Sequence, residues 1–440
     1  MIADLLAAVR RRAQAGDALW RREERTTLAF EAGRFKSAGT TEETGINLRV
    51  VKDGQVGVAG TTATDAAPDD LLARALASAA LGESLDLTVP SASPLPHVPT
   101  YFEGAANASL NALIEVGQSL VARLSRDGCQ VNVAIEREVS ETEIANTAGA
   151  AGKYRATGVA VGVDVTRIAG DDVLMVYDQY VGADLPGAAE LDALVDSVTT
   201  RLDLALTVAL PPEGALPVIF TPVGLSAILL PLEQGLSGKA VLQGVSPLGE
   251  KLGTRVFDER FALTDDPLAA GRIGSRPCDD EGVPSRRMPL VKNGVVRGFV
   301  YDLETAARAK TTSTGHGRRG IFGKPRIAYS NLVVGADRKP STETRVPGGG
   351  LAAELQNGLI VEDLIGVGQG NVMAGGFSHP VALAYRVERG EITGRVKDAA
   401  VAGNVYELLK KIGGFGSDGR WLGTRFAPSL LLEGVSVARR

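Results

Sequence analysis

The stretch that decides the architecture runs from Pro211 to Lys239 and reads PPEGALPVIFTPVGLSAILLPLEQGLSGK. Pro211, Pro212 and Gly214 open it with a turn that neither a helix nor a sheet can run through, because proline withholds its backbone donor and fixes φ. Leu216–Thr221 then reads as a strand and about Val223–Leu236 as a helix. The turn divides an N-terminal α+β domain, residues 1–210, from a C-terminal domain, residues 215–440, that is mostly antiparallel β and barrel-like. Pro217–Leu232 is the most apolar part of the chain, yet it is too short to span a bilayer and contains prolines.

Upstream of the turn, Ile2, Leu5, Leu6 and Val9 repeat at helical spacing over residues 2–13. Thr27–Ala32 and Gly45–Val51 read as strands, and Asp53-Gly54 is a two-residue hairpin signal that returns the chain through Gln55–Gly60. Asp69–Leu81 predicts a helix. Residues 82–106 hold Pro90, Pro94, Pro96 and Pro99 and predict an irregular crossing. Leu110, Leu113, Ile114, Gly117, Leu120, Val121 and Leu124 line one face of an amphipathic helix. Strand patterns follow at Val131–Ile135, Glu141–Asn146, Gly158–Thr166 and Val173–Val181, then a helix at about Gly187–Leu206.

Downstream, short β-runs alternate with glycine turns. Asn293-Gly294 joins Met288–Val291 to Val295–Tyr301, and Arg389-Gly390 marks another hairpin. A helix is expected at Val401–Ile412 and a last strand at Ser429–Val437. No repeat of 20–50 residues is present.

Composition narrows the function. With 440 residues the chain can build two domains of roughly 100–200 residues each. Lys plus Arg number 47 against 52 Asp plus Glu, a net charge of −5, which gives no general attraction to nucleic acid or an anionic membrane. Arg318-Arg319 is a local basic pair that reads as a solvated loop. Cys129 and Cys278 lie far apart without C-x-x-C spacing, which argues against a disulfide framework and a zinc knuckle. The first residues, MIADLLAAVRRR, place their charges after a short apolar run and so do not read as a secretory leader; a cytoplasmic protein is expected.

Catalytic signatures are mostly missing. His97, His316 and His379 are far apart, so no H-E-x-x-H pattern exists. No G-x-S-x-G supports Ser226 or Ser237 as a nucleophile, and the acidic neighbours of Cys278 would raise its pKa. Gly366–Gly370 lacks the following helix that a dinucleotide fingerprint needs, and Gly235–Lys239 lacks two defining residues of a phosphate loop. Asp279-Asp280-Glu281-Gly282 could hold a hard cation, but reads better as a turn whose Asp side chains bond nearby backbone N–H groups.

Several motifs nevertheless fall in a characteristic order: E-A-G-R-F-K-S at 31–37, G-I-N-L-R-V-V-K-D-G at 45–54, S-P-L-G-E-K-L-G at 246–253, D-D-P at 265–267, D-D-E-G-V-P-S-R at 279–286, V-K-N-G-V-V-R-G-F-V-Y-D at 291–302, S-T-G-H-G-R-R at 313–319 and A-P-S-L-L-L-E-G-V at 427–435. Over nearly the whole chain this resembles the TldD/PmbA family, once described as modulators of DNA gyrase. Its TldD-like branch carries H-E-x-x-x-H on the helix after the first C-terminal-domain strand, plus a distant third zinc ligand; its PmbA-like branch, also called TldE, does not. Matching Leu230 and Gly235 places Pro231 and Leu236 at the two histidine positions and Leu232 at the glutamate position, with Glu233 one residue off. Proline and leucine offer zinc no ligand, and leucine cannot act as a base.

The resemblance therefore implies the metal-free branch, with no catalytic residue or cofactor on this chain. It implies a TldD-like partner bearing H-E-x-x-x-H and zinc, and a heterodimer that cleaves extended or unfolded peptides. This chain would supply part of a chamber and of a peptide groove, holding peptide by strand addition to a free sheet edge. Asp280, Glu281, His316 and Arg319 are its candidate substrate contacts. The alternative is a homodimeric regulatory or binding protein without peptidase activity.

Overall fold

A computed structural model describes residues 1–63, 65, 67–335 and 346–439. The N-terminal half contains α1 (Ile2–Arg12), β1 (Ala15–Glu31), β2 (Arg34–Lys52), β3 (Gln55–Thr61), α2 (Pro68–Ala79), α3 (Glu103–Ala106), α4 (Leu110–Leu124), β4 (Cys129–Asn146), β5 (Ala151–Ala169), β6 (Asp172–Gly182) and α5 (Ala188–Leu204). The six strands form one antiparallel sheet in the order β3-β2-β1-β4-β5-β6. Alternation sorts its two faces. Val159, Val161, Val163 and Val165 of β5, with Val131, Val133 and Ile135 of β4, pack against Leu113, Leu120 and Leu124 of α4 and Leu194, Val198 and Leu202 of α5. Ser109 starts α4 by accepting a hydrogen bond from the Ala112 N–H at 3.1 Å. The intervening β5 positions, Ala156, Gly158, Ala160 and Gly162, look out from the opposite face and are half-buried.

The strands are longer than sequence patterns predict. The patterns at Thr27–Ala32 and Gly45–Val51 are parts of a long hairpin that turns at Ala32 and Gly33, where φ is 48° and 75°. Residues 34–43 of β2 are exposed on both faces, so no apolar alternation marks them. Val131–Ile135 and Glu141–Asn146 belong to a single strand, β4.

In the C-terminal half, β7 (Val208–Ala209) and β8 (Gly214–Phe220) precede α6 (Ser226–Gly235) and α7 (Gly238–Leu242). β8 starts a closed ring. It pairs with Leu430–Arg439, that strand with Ala399–Asn404, that one with Gly376–Glu388, then Asn357–Leu364, which pairs in parallel with β8. The ring is a five-stranded barrel, which has no free edge of its own. A second sheet runs Val295–Val296, Met288–Lys292, Leu263–Asp265, Leu332–Val334, Arg425–Ala427 and Arg420–Leu422. The architecture is α+β, with a helix-backed sheet followed by a largely β C-terminal half.

The three hairpin signals are all realised. Asp53, Asn293 and Arg389 have φ of 51°, 50° and 52°, each followed by a positive-φ glycine. Two expectations fail. Of Val295–Tyr301 only Val295–Val296 pairs as a strand. Val401–Ile412 is not a helix: Ala399–Asn404 is a barrel strand, and Asn404 caps a four-residue helix, Val405–Leu408. Pairing on both sides of Ala399–Asn404 overrides the helical spacing.

The barrel also joins the halves. Val218 and Phe220 face one core with Leu232, Leu359, Val361 and Leu432, whereas Ile219, Ile360, Tyr385 and Leu431 face the core shared with the N-terminal sheet and helices. Among the described residues no helix is long and apolar enough to cross a membrane.

Candidate functional site

Three places could carry function: the α6 helix, a buried ionic joint between the halves, and a cleft on the open face of the first sheet. In α6, Pro231 is buried, and Leu232 together with Leu236 just past its end are both 0% exposed. The two leucines belong to a packed apolar interior that includes Phe220, Leu263 and Val300. The Pro231 carbonyl accepts a hydrogen bond from the Tyr406 hydroxyl at 3.0 Å. Glu233 is held by Arg425 through two bonds of 2.6 and 2.9 Å. None of the three motif positions offers a side-chain ligand, and the neighbouring carboxylate is already engaged, so these residues do not fit zinc. Among the described residues no group of three or more His, Cys, Asp or Glu is placed to hold a metal ion. Burial, with Asp279 and Asp280 beside it, pushes the Cys278 thiol up to about 12, so it is a poor nucleophile.

The D-D-E-G and H-G-R-R segments fold together. Asp279 forms the expected turn, accepting from the N–H groups of Glu281 and Val283 at 3.0 and 2.9 Å, and also from Gly317 at 2.9 Å. Asp280 and Glu281 reach the N-terminal sheet. Asp280 pairs with Arg21 of β1 at 3.0 Å and with Arg318 at 3.5 Å, and accepts from the Arg319 N–H at 2.9 Å. Glu281 pairs with Arg49 of β2 at 2.6 Å and accepts from the Leu303 N–H at 2.7 Å. Arg319 pairs with Asp17 at 2.5 Å and donates to the Asn47 side chain at 3.1 Å. The Asn47 amide in turn donates to the carbonyls of Ile321 and Gly323. His316 lies apart from this network, on Asp265 at 3.1 Å.

Asp280 and Glu281 are fully buried, and His316 and Arg319 are 2% and 5% exposed. Asp280, Glu281 and Arg319 are therefore interior groups that join the two halves, and His316 is an interior group of the C-terminal half; all four are closed to any substrate in this structure. Arg319 is likewise no solvated loop residue; only Arg318 of that pair is half-exposed. Burial pushes the Asp280 carboxyl up, but Arg318 and Arg21 outweigh it and hold it at about 2. Burial, with Asp279 and Asp302 nearby, pushes Glu281 up against the pull of Arg49. Sequence reading missed Asp17, Arg21, Asn47 and Arg49. For Asp17, Asn47 and Arg49 the signal is a polar residue placed inside an otherwise apolar strand segment, where each needs a partner; Arg21, in the charged run Arg21–Arg25, carries no such signal.

The cleft lies where β1, β4 and β5 meet the loop 273–275 and Arg318. It encloses about 300 Å³, with Arg21, Arg318 and Tyr154 at one end and Glu23, Glu136 and Glu138 at the other. Gly158 and Ala160 form part of its floor.

Comparison with known proteins bears on which of these places matters. Residues 213–439 match the domain described as PmbA/TldA metallopeptidase C-terminal domain, and residues 16–79 match PmbA/TldA metallopeptidase domain 1. The chain belongs to the PmbA/TldD family. A metalloprotease of Methanocaldococcus jannaschii is 31% identical over 203 residues, 46% of this chain and 43% of that protein. A PmbA homologue of Haemophilus influenzae, described as a metalloprotease, is 28% identical over 225 residues, 50% of this chain and 46% of that protein. The chain thus spans less than half the length of these curated relatives in the matched region. The crystal structure of TldE from Thermococcus kodakarensis superposes with a TM-score of 0.88 at 22% identity, covering 99% of both chains, which shows a shared fold. The three positions of α6 and its end that the sequence alignment set against the zinc motif are filled in this structure with buried apolar side chains.

Proposed function

We propose that this chain is the metal-free, TldE-type subunit of a two-subunit zinc peptidase that acts on extended or unfolded peptides. A TldD-like partner bearing H-E-x-x-x-H supplies the zinc, and this chain supplies part of the chamber and of the peptide groove. The observation that carries this reading is the burial of Leu232 and Leu236 at 0% exposure, at the positions of the motif's glutamate and second histidine. Side chains without ligand atoms, sealed in a core, cannot bind zinc or activate a water. The joint around Asp280 and Arg319 is a scaffold in this reading. Peptide contact falls to the open sheet face and to the outer edge of β6, where Val173, Met175 and Tyr177 are exposed.

The test is zinc content and peptide hydrolysis for the purified chain, alone and mixed with an H-E-x-x-x-H-bearing relative from the same genome. The expected result is no stoichiometric zinc and no cleavage alone, with both appearing in the mixture. Stoichiometric metal or cleavage by the chain alone would overturn the proposal. A homodimer that never combines with the relative and never cleaves would favour a regulatory or binding protein instead.

A further inference from the structure

β2 is paired on both sides for only part of its length. β1 accompanies it from Arg34 to Val51, whereas β3 accompanies it only from Ile46 to Lys52. Among the described residues no strand pairs with the other edge of residues 34–45, and residues 34–43 are exposed. The turn at 53–54 fixes which backbone groups face that edge. A two-residue turn with positive φ at both positions closes on a hydrogen-bonded pair, here Lys52 with Gln55. Antiparallel bonding alternates, so even-numbered residues of β2 turn their N–H and C=O toward the β3 side and odd-numbered ones toward β1. The β1–β2 register has no shift between Val51 and Ser37, so the alternation holds along that length. Ala38, Thr40 and Glu42 therefore present N–H and C=O groups to the open edge. The contact of Thr26 Oγ1 with Thr40 Oγ1 at 3.1 Å agrees, because side chains approach most closely at pairs that share no backbone bonds.

An open edge pairs with a further strand unless charge, proline or a bulge blocks it. Here the bulge opposite Ala29 and the charge of Lys36 stand at the tip, and the next five residues, Ser37–Thr41, carry no charge and no proline. Gly39 lies at their centre. A Cβ on it would meet nothing within 4 Å and its φ is not positive, so neither crowding nor backbone geometry within this chain calls for glycine. A glycine inside a strand also marks the close approach of another backbone. The flanks differ in sign, with Arg34 and Lys36 on the tip side and Glu42 and Glu43 on the other. Antiparallel pairing of two copies about Gly39 sets Lys36 of one opposite Glu42 of the other, whereas parallel in-register pairing sets like charges side by side. Lys36 already meets Glu31 at 3.1 Å and Glu42 meets Arg22 at 2.8 Å. The union thus makes a row of alternating sign, Glu31 and Lys36 of one copy followed by Glu42 and Arg22 of the other.

We propose that the free edge of β2 joins two copies of this chain, strand to strand and antiparallel, about a twofold axis at Gly39, so that the two six-stranded sheets run on as one. The pairing needs neither zinc nor the TldD-like partner and goes beyond the subunit assignment. It rests on few backbone bonds, so the dimer is reversible and depends on concentration.

Sedimentation velocity of the full chain over a concentration series tests the pairing, and oxidative cross-linking tests its register. The expected result is a shift from the 45.8 kDa species to its dimer as concentration rises. Thr40→Pro removes an outward N–H that the chain itself does not use, a place where edge strands tolerate proline. It should keep the fold by circular dichroism and weaken dimerisation at least tenfold. In a Cys129→Ser background, with Cys278 buried, Gly39→Cys should form a disulfide-linked dimer under diamide, because facing residues at the axis lie about 4.5 Å apart at Cα. Thr41→Cys should not, because it stands four residues, about 13 Å, along the ladder from its copy. The cysteine pair decides the matter should Thr40→Pro not fold. The proposal is overturned if the chain stays monomeric at every concentration, if folded Thr40→Pro dimerises as tightly as the parent, if Thr41→Cys cross-links as readily as Gly39→Cys, or if the edge pairs only with the H-E-x-x-x-H-bearing relative. A monomeric chain that still completes an active zinc-bearing mixture removes this pairing and leaves the subunit assignment standing. Cross-linking at 39 alongside an inactive mixture does the reverse.

Discussion

Arg49 shows how one side chain can hold two parts of a molecule together. It is 2% exposed and bridges Asp17 on its own sheet, at 2.8 Å, to Glu281 of the other half, at 2.6 Å. Removing it leaves Glu281 buried without its cation and Asp17 with Arg319 alone, and breaking a buried pair in this way costs about 3–5 kcal/mol. Arg49→Met should therefore lower stability by about that amount in denaturant titration. Arg49→Met combined with Glu281→Leu should recover part of the loss, because the second change removes one stranded charge. Additive losses in the double variant would show that Arg49 acts through packing alone. At the same scale, the apolar character of residues 231, 232 and 236 is legible in the sequence, and the structure buries all three. The roles of Asp280 and Arg319 are not legible there, because a charged motif looks the same whether it faces solvent or a buried partner about 30 to 300 residues away in the chain.

At the scale of elements, turns were the most legible feature. Two-residue hairpins of the kind seen at 53–54, 293–294 and 389–390 have positive φ at both central positions, and few sequences satisfy that without a glycine. The three such turns differ in what surrounds them, which sets an order of sensitivity. A Cβ on Gly54 would meet only Ser84 Oγ at 3.7 Å, whereas one on Gly294 would lie 2.2 Å from the Phe257 carbonyl oxygen. Gly54→Ala should cost about 1–2 kcal/mol, the backbone penalty alone. Gly294→Ala should cost clearly more, because the Met288–Val296 hairpin must also move off Phe257. Equal melting temperatures for the two variants would refute that ordering. The long β1–β2 hairpin was only partly legible, because its far end buries neither face and carries no alternation. Ala399–Asn404 was misread because its helical spacing competes with pairing to two strands distant in sequence, and pairing prevails.

Across the whole molecule, the halves are joined at both ends of their interface and through a shared core. One joint is the Asp17–Arg49–Glu281 and Arg21–Asp280 network. The other sets Asp172 of β6 against Arg395 and Lys397 at 2.6 and 2.8 Å, and Asp178 against Arg420 at 2.8 Å. Lys397 and Arg395 hold the Asp172 carboxyl at about 2, as Arg318 and Arg21 hold Asp280. Both values lie below the ordinary value near 4, so each carboxylate stabilises the folded state above that pH and loses its contribution as pH falls toward 2. For Asp280 the contribution is about 2 kcal/mol. Acid unfolding monitored by tryptophan fluorescence should thus steepen between pH 4 and 2, and Asp280→Asn should flatten it; an unchanged profile would show that the joint carries no linkage. The same joints constrain descent. A recombination event that crossed over in the turn at 211–214 would pair one lineage's arginines with another lineage's carboxylates. The joints stay paired only where both parents carry matching charges at 17, 21, 49, 172 and 178 on one side and at 280, 281, 319, 395, 397 and 420 on the other, so the two halves are expected to drift together.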